Sequence, residues 1–470
     1  MFVLPTLCRH VCAANFVPPA PHRPVHHPHR HRLCLKNESS SRPEAAVSNQ
    51  RLTRRNFLKT GSLGTLAGVL ASGERIPSAA AQPRTKRTSD DPLRCAVIGY
   101  GEWGREIAAA INDVEETELT AICDSFPLML RRAQRDYPEA ARIAEVQEII
   151  DDETIPAIFI ATPTHKHREL VIAALAAGKH VYCEAPLAHT MDDARAIAQA
   201  ALDAPDQIFQ GGLVYRTEPQ YRSVFGFVRS GAIGKAIMSR SQWHTKQSWR
   251  RASSSQQRAD ELNWRLYQET SLGLVGEIGM HPVDIMSWMK GELPTAVSGF
   301  GNVLYWRDGR TEPDTIQAVF EYPGGENMLF DASLVSGFDS AYDLLFGSDS
   351  TIILRDQKAW MFKEVDAPML GWEVYARRDR FYKETGIALL ANATKLDALG
   401  TDPTEDDPNL KAPIWHAVKA FAENYIYGPF DAAASAERSY EATVVAIKAA
   451  EAVHSKSRVE ITPEDYSVQG

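Results

Sequence analysis

The sequence predicts an α/β protein in two parts: a doubly wound parallel sheet, then an α+β domain with an open, mostly antiparallel sheet. Three observations carry this. Between residues 93 and 212, short continuous apolar runs alternate with helix-like segments, the pattern of a parallel sheet covered on both faces. From residue 213 to 460, segments of alternating apolar and polar residues follow one another with few helices between them. The chain has 470 residues, of which 44% are hydrophobic and 24% charged, enough to bury two cores.

In chain order, residues 94–98 read as a strand, 104–111 as a helix, 119–123 as a strand and 127–135 as a helix. Residues 146–151 read as a short apolar turn. The run 157–163 has strand length, 169–177 is helical and stops at Gly178, 180–186 is a strand and 192–202 a helix. A helix ending at Ser230 and a turn at 231–235 lead into alternating segments at 236–244, 296–306, 315–321, 327–333 and 342–354. Residues 412–425 and 436–454 read as helices, with 436–460 returning toward the first domain. The segment 403–413, with its prolines and carboxylates, reads as a surface loop.

Cys95-Ala96-Val97-Ile98 breaks into Gly99-Tyr100-Gly101-Glu102-Trp103-Gly104, which is G-x-G-x-x-G between a strand and a helix. Gly99 permits a sharp turn, Gly101 lets phosphates approach the backbone, and Gly104 lets helix and strand pack closely; Glu102 and Trp103 complete the cradle. Free N–H groups at the helix start hold the anion. Asp124 ends the second strand 20 residues past Gly104, where a carboxylate binds the ribose hydroxyls of NAD. With Ser125 next and no adjoining Arg, NAD is favoured over NADP, which stays open as an alternative. Doubly wound domains bind ligands at the carboxyl ends of their strands, so Thr162, Pro163, His165, His167, Glu184 and Pro186 line the crevice.

Residues 1–92 are a leader and linker. Residues 1–81 hold 11 of the 51 Lys and Arg but only 3 of the 60 Asp and Glu, leaving 40 basic and 57 acidic residues beyond, a net charge of −17. That acidic body argues against a nucleic-acid partner. Within 51–81, Arg54-Arg55, a short weakly apolar run and Ala79-Ala80-Ala81 match a twin-arginine export signal, predicting a periplasmic or extracellular protein with no membrane span in the mature chain. Since no Met occurs between Met1 and Met129, a non-Met start codon near Arg51 is expected. Cys8, Cys12 and Cys34 lie in the basic leader. Cys95, Cys123 and Cys183 fall singly in apolar strands and read as buried hydrophobes, with no metal site implied.

These residues resemble the Gfo/Idh/MocA family of glucose-fructose oxidoreductase, inositol dehydrogenase and their relatives, over roughly 93 to 460. The resemblance rests on the glycine motif, on Ala161-Thr162-Pro163-Thr164-His165-Lys166-His167, on the run from Ala177 to Pro186, and on Gly276-Glu277-Ile278-Gly279-Met280-His281-Pro282-Val283-Asp284. It implies an open sheet behind a substrate cleft, used for homo-oligomer contacts, and it assigns the catalytic carboxylate and histidine to Glu277 and His281. One departure stands out. Family dehydrogenases carry Glu-Lys-Pro where this chain has Glu184-Ala185-Pro186, so the lysine that touches the reacting hydroxyl is missing.

Read as one helix, the segment puts Glu277, His281 and Asp284 on a single face, a carboxylate–imidazole–carboxylate set able to move a proton. Asp284 reads equally as a structural brace. An insert from Trp243 to Arg265 offers Lys246 as a substitute for the missing lysine. Its tryptophans, Trp264 among them, suit a sugar, as do Tyr215 and Arg216 at the cleft. Three functions remain open at this stage: an NAD(P)-dependent oxidoreductase acting on a sugar with tightly bound cofactor, a redox-neutral NAD-dependent glycoside hydrolase, and a non-catalytic NAD-binding protein.

Overall fold

The computed structural model describes residues 91–253, 255–381, 384–391 and 410–469. Residues 1–90, with the twin arginines, Cys8, Cys12 and Cys34, and residues 403–409 of the expected loop lie outside them. Among the described residues no helix is long and apolar enough to cross a membrane.

The first sheet contains β1 (Leu93–Ile98), β2 (Thr117–Cys123), β3 (Ala141–Ile143), β4 (Ala157–Ile160), β5 (His180–Cys183) and β6 (Phe209–Gly211). Their spatial order is β3-β2-β1-β4-β5-β6 and every pairing is parallel. Val97 in β1 sits between Ile122 and Phe159, all three fully buried, because helices cover both faces. The helices are α1 (Glu102–Asp113), α2 (Pro127–Asp136), α3 (Val146–Asp151), α4 (His167–Ala176) and α5 (Met191–Leu202). Residues 146–151 are thus a helix rather than a turn, and they bury Ile149 and Ile150. Strands β3 and β6 escape sequence reading because three residues are too few to show a period. Cys95, Cys123 and Cys183 are free and buried, and burial raises the pKa of each.

After α6 (Pro219–Arg229) the chain enters a ten-stranded sheet. It comprises β7 (Ala236–His244), β8 (Ala296–Asn302), β9 (Thr315–Glu321), β10 (Asn327–Ser333), β11 (Ala341–Gly347), β12 (Ser350–Arg355), β13 (Lys358–Lys363), β14 (Arg378–Phe381), β15 (Glu384–Ala388) and β16 (Arg458–Glu460). The order is β14-β15-β13-β12-β11-β7-β10-β9-β8-β16, antiparallel throughout except between β7 and β10. The run 342–354 is two strands folded back at Ser348 and Asp349, a turn its alternating pattern conceals. The strand expected over 296–306 ends at Asn302, because the amides of Leu304, Tyr305 and Trp306 turn to donate to Asp314 at 3.0, 2.8 and 2.9 Å. Along β9, Ile316, Ala318 and Phe320 face the core, while the other face carries exposed Val319 with Met238 and Phe300 on neighbouring strands.

Two late helices join the parts. In α10 (Pro413–Tyr427), Phe421 packs 5.1 Å from the Phe159 ring, and the Ala417 carbonyl accepts from Gln210 at 3.0 Å. In α11 (Ala436–Ser455), Thr443 accepts from the Leu187 amide at 3.0 Å, and Val453 nests against Gly299 and Gly301 of β8, where a Cβ would clash.

Candidate functional site

The loop between β1 and α1 has the geometry a pyrophosphate needs. Gly99 has φ +94°, and a Cβ there would stand 2.8 Å from the Ala161 carbonyl oxygen. At Gly104 a Cβ would collide with the Gly99 carbonyl, whereas at Gly101 it would meet nothing within 4 Å. The first and third glycines therefore close the turn, and the second leaves open space over the backbone. Asp124 holds the loop in shape: its carboxylate accepts from the amides of Tyr100 and Phe126, each at 2.8 Å. At the carboxyl ends of β4 and β5, Thr162 Oγ1 and Glu184 Oε1 are buried without a hydrogen-bond partner. Trp103 lies beside Glu184. Orphaned polar atoms around an open glycine cradle fit a bound dinucleotide, and Gly99, Gly101, Glu102, Trp103, Gly104, Asp124, Thr162, Pro163 and Glu184 would hold it.

Burial raises the Glu184 pKa to about 7, with partial relief from Trp103, Tyr182, the Ala185 amide and Arg265. A folded-state value above the unfolded one means its stabilising contribution is full below about 4.5 and is lost as pH rises through 7. Glu184→Gln is expected to flatten the melting temperature of nucleotide-free protein between those two pH values. A variant whose profile overlays the wild type would show that the carboxyl ionises normally.

Glu277 and His281 do not share one helix. The segment breaks at Ile278 and Gly279 into α8 (Gly273–Glu277) and α9 (Met280–Lys290), and Gly279 packs where a Cβ would stand 2.5 Å from Phe330. Glu277, 7% exposed, turns toward the nucleotide domain and accepts from Thr164 at 3.2 Å and from Ser271 at 3.0 Å. Burial raises its pKa. His281 faces the Tyr215 ring at 6.0 Å, its Nδ1 is enclosed without a partner, and burial lowers its pKa against the opposing effect of Asp284. The imidazole is thus neutral at pH 7 and able to accept a proton.

Several residues read as ligand contacts have other duties. His167 is 1% exposed; its Nδ1 lies 3.1 Å from the Pro186 carbonyl oxygen and its Nε2 2.9 Å from that of Thr162, so it ties β4 to β5 instead of meeting the cofactor. Arg216 and Asp284, read as substrate residues, form a buried bidentate pair at 2.8 and 2.7 Å, with the guanidinium 5.5 Å from the Trp288 ring. Lys246 rests 3.9 Å over Tyr305 and 5.5 Å from Trp306, a cation held on two aromatic rings. Tyr215 is enclosed against Tyr221 at 4.8 Å, and burial pushes its pKa to about 12.

Trp264 reaches the nucleotide domain, its ring 6.2 Å from that of His165. Sequence reasoning missed its neighbour Arg265. This guanidinium lies 4.7 Å from the Trp264 ring, and its charge favours the ionised form of both Glu184 and Glu277. Its only sequence signal was its place in an aromatic and basic insert. Among the described residues no group of three or more His, Cys, Asp or Glu could hold a metal ion.

Comparison with known proteins agrees with this architecture. Residues 93–211 match the oxidoreductase family with NAD-binding Rossmann fold, and residues 221–353 match the GFO/IDH/MocA C-terminal domain. Levoglucosan dehydrogenase of Pseudarthrobacter phenanthrenivorans is 31% identical over 172 residues, 36% of this chain and 42% of that protein. A glycosyl hydrolase family 109 protein of Shewanella amazonensis is 27% identical over 256 residues, 48% of this chain and 55% of that one. The chain therefore aligns with about half the length of these two relatives. A solved levoglucosan dehydrogenase in complex with NADH and L-sorbose shares the fold, with a TM-score of 0.65, 19% identity and coverage of 79% of this chain and 99% of that one. The glycine cradle at the head of a parallel sheet, the open sheet behind it and the two matched domains make this chain a member of the Gfo/Idh/MocA family, with its NAD-binding Rossmann domain at residues 93–211.

Proposed function

We propose that the protein is an NAD(P)-dependent oxidoreductase acting on a sugar or sugar derivative, with His281 as its acid–base group. The observation that carries this is the His281 imidazole, its Nδ1 buried without a partner and its pKa lowered by burial, four residues beyond a carboxylate that is bonded to Thr164 just after β4. A bound nicotinamide would accept and return hydride. His281 takes the proton of the hydroxyl being oxidised and gives it back in the reverse direction. Glu277, fixed by Thr164 and Ser271, adds a polar wall, and Arg265 offsets charge where family dehydrogenases have a lysine. The dehydrogenase named among the relatives supports this reading.

A second reading, the redox-neutral glycoside hydrolase, is favoured by Ala185, which has no proton to give, and by the glycosyl hydrolase among the relatives. Native mass spectrometry for co-purified nucleotide, followed by aryl glycosides, separates the two. Sugar-dependent NADH formation supports the dehydrogenase; aglycone release without net NADH sinks it in favour of the hydrolase.

The twin-arginine leader supports export to the periplasm or beyond, which would keep the coenzyme resident because no nicotinamide pool replaces it there. Cell fractionation tests this, and a wholly cytoplasmic protein would refute it. The apolar outer face of the ten-stranded sheet, with Met238, Phe300 and Val319 exposed, supports a homo-oligomer through that face. Light scattering that returned a monomer mass would refute that assignment.

A further inference from the structure

The insert that leaves β7 at His244 and ends at Leu266 is no slack loop. Its start is bonded to the second domain, Thr245 and Gln247 donating to the carbonyls of Ser333 and Leu334 at 2.9 and 3.1 Å. Its end is held as Leu266 accepts from Thr311 and Glu312 at 2.9 and 3.0 Å. Between them, Arg250 donates to the Asp308 carbonyl at 2.6 Å. Asn263, 2% exposed, clasps the insert to itself: its Oδ1 accepts from the Arg251 amide at 2.7 Å, and its Nδ2 donates to the carbonyls of Arg251 and Ala259 at 3.1 and 2.7 Å.

So held, the insert presents three arginines to three stations of the first domain. Arg251 pairs with Glu102 in the glycine loop. Arg258, in α7 (Gln256–Leu262), lies 4.2 Å from the ring of Phe126, whose amide donates to Asp124. Arg265 stands among Trp264, Glu184 and Glu277. The stations are the pyrophosphate cradle, the ribose carboxylate and the far end of the crevice. The Arg251–Glu102 pair has 57% and 68% of its side chains exposed, so it adds little stability. Arg258 pairs with Glu261 at 2.8 Å within its own helix, yet its Nε is buried without a hydrogen-bond partner, so the anchored insert still offers N–H donors to an anion.

We propose that the insert is a second wall of the dinucleotide site, contributed by the other domain, and that Arg251, Arg258 and Arg265 retain the coenzyme through turnover. Arg251 addresses the phosphates, Arg258 the adenosine ribose end and Arg265 the nicotinamide end. Charge-assisted contacts of this kind slow release by about ten- to a hundredfold each. The inference rests on the reading that this crevice holds a nicotinamide dinucleotide.

The test loads the full purified protein with radiolabelled NAD, chases with unlabelled NAD, and follows retention on a filter, with no turnover needed. R251A and R258A are expected to speed release about tenfold or more. R265A is expected to speed release of NAD but not of ADP-ribose, which has no nicotinamide, whereas R258A speeds both. Asn263→Ala, by opening the clasp, is expected to match R251A; since Asn263 is buried, the folded arginine variants carry the result if it misfolds. Release at the wild-type rate from all three folded arginine variants overturns the wall while leaving the cofactor reading intact. A wild-type protein that takes up neither NAD nor NADP overturns both.

Discussion

Replacing His281 with alanine is expected to lower kcat by about 10²–10⁴-fold on whichever sugar the wild type turns over, with NAD binding unchanged. The nearby carboxylates are committed elsewhere, Asp284 to Arg216 and Glu277 to Thr164 and Ser271. The residue lies outside the cradle that binds the coenzyme, so the loss should fall on turnover and not on nucleotide affinity. Equal turnover by the variant would remove the imidazole from the chemistry and favour the non-catalytic NAD-binding reading.

Arg216→Ala is expected to destabilise the protein by about 3–5 kcal/mol, measured by denaturant unfolding, because it strands the Asp284 carboxylate at 7% exposure. Restoring shape without charge, with Arg216→Met and Asp284→Leu together, should return most of the loss. The same pair reaches the chemistry. Asp284 already favours the charged form of His281, and losing the guanidinium strengthens that effect. The acid limb of the kcat/KM profile should therefore move to higher pH in R216A. A stable variant with an unmoved acid limb would show that the two side chains are uncoupled.

The parallel sheet was legible in the sequence because each strand is a short apolar run and each glycine of the cradle has a steric reason, as the close approaches at Gly99 and Gly104 show. The antiparallel sheet was legible only in part. Alternation marks β9 and β10 clearly, but it runs through the turn between β11 and β12, and β14 and β15 at one end of the sheet are too short and polar to register. In the site, helical spacing suggested one face for Glu277, His281 and Asp284. Gly279 packs against Phe330, 51 residues later, and no local pattern reveals the break there. Arg216 was a cleft residue by position, yet its guanidinium is drawn inward by Asp284, 68 residues away. Arg251 and Glu102 are 149 residues apart, and the Arg251 backbone is held by Asn263, a contact no local pattern reveals.

The docking of α10 bears on how the protein is made. Phe159 and Tyr182 finish their packing against Phe421, a residue translated well over two hundred positions after them. While the ribosome is still working through the middle of the message, the nascent amino-terminal half has one side of its hydrophobic interior uncovered. Maturation of the coenzyme-binding half therefore waits for α10, and a lesion in that helix acts at a distance as a defect in the region synthesised first.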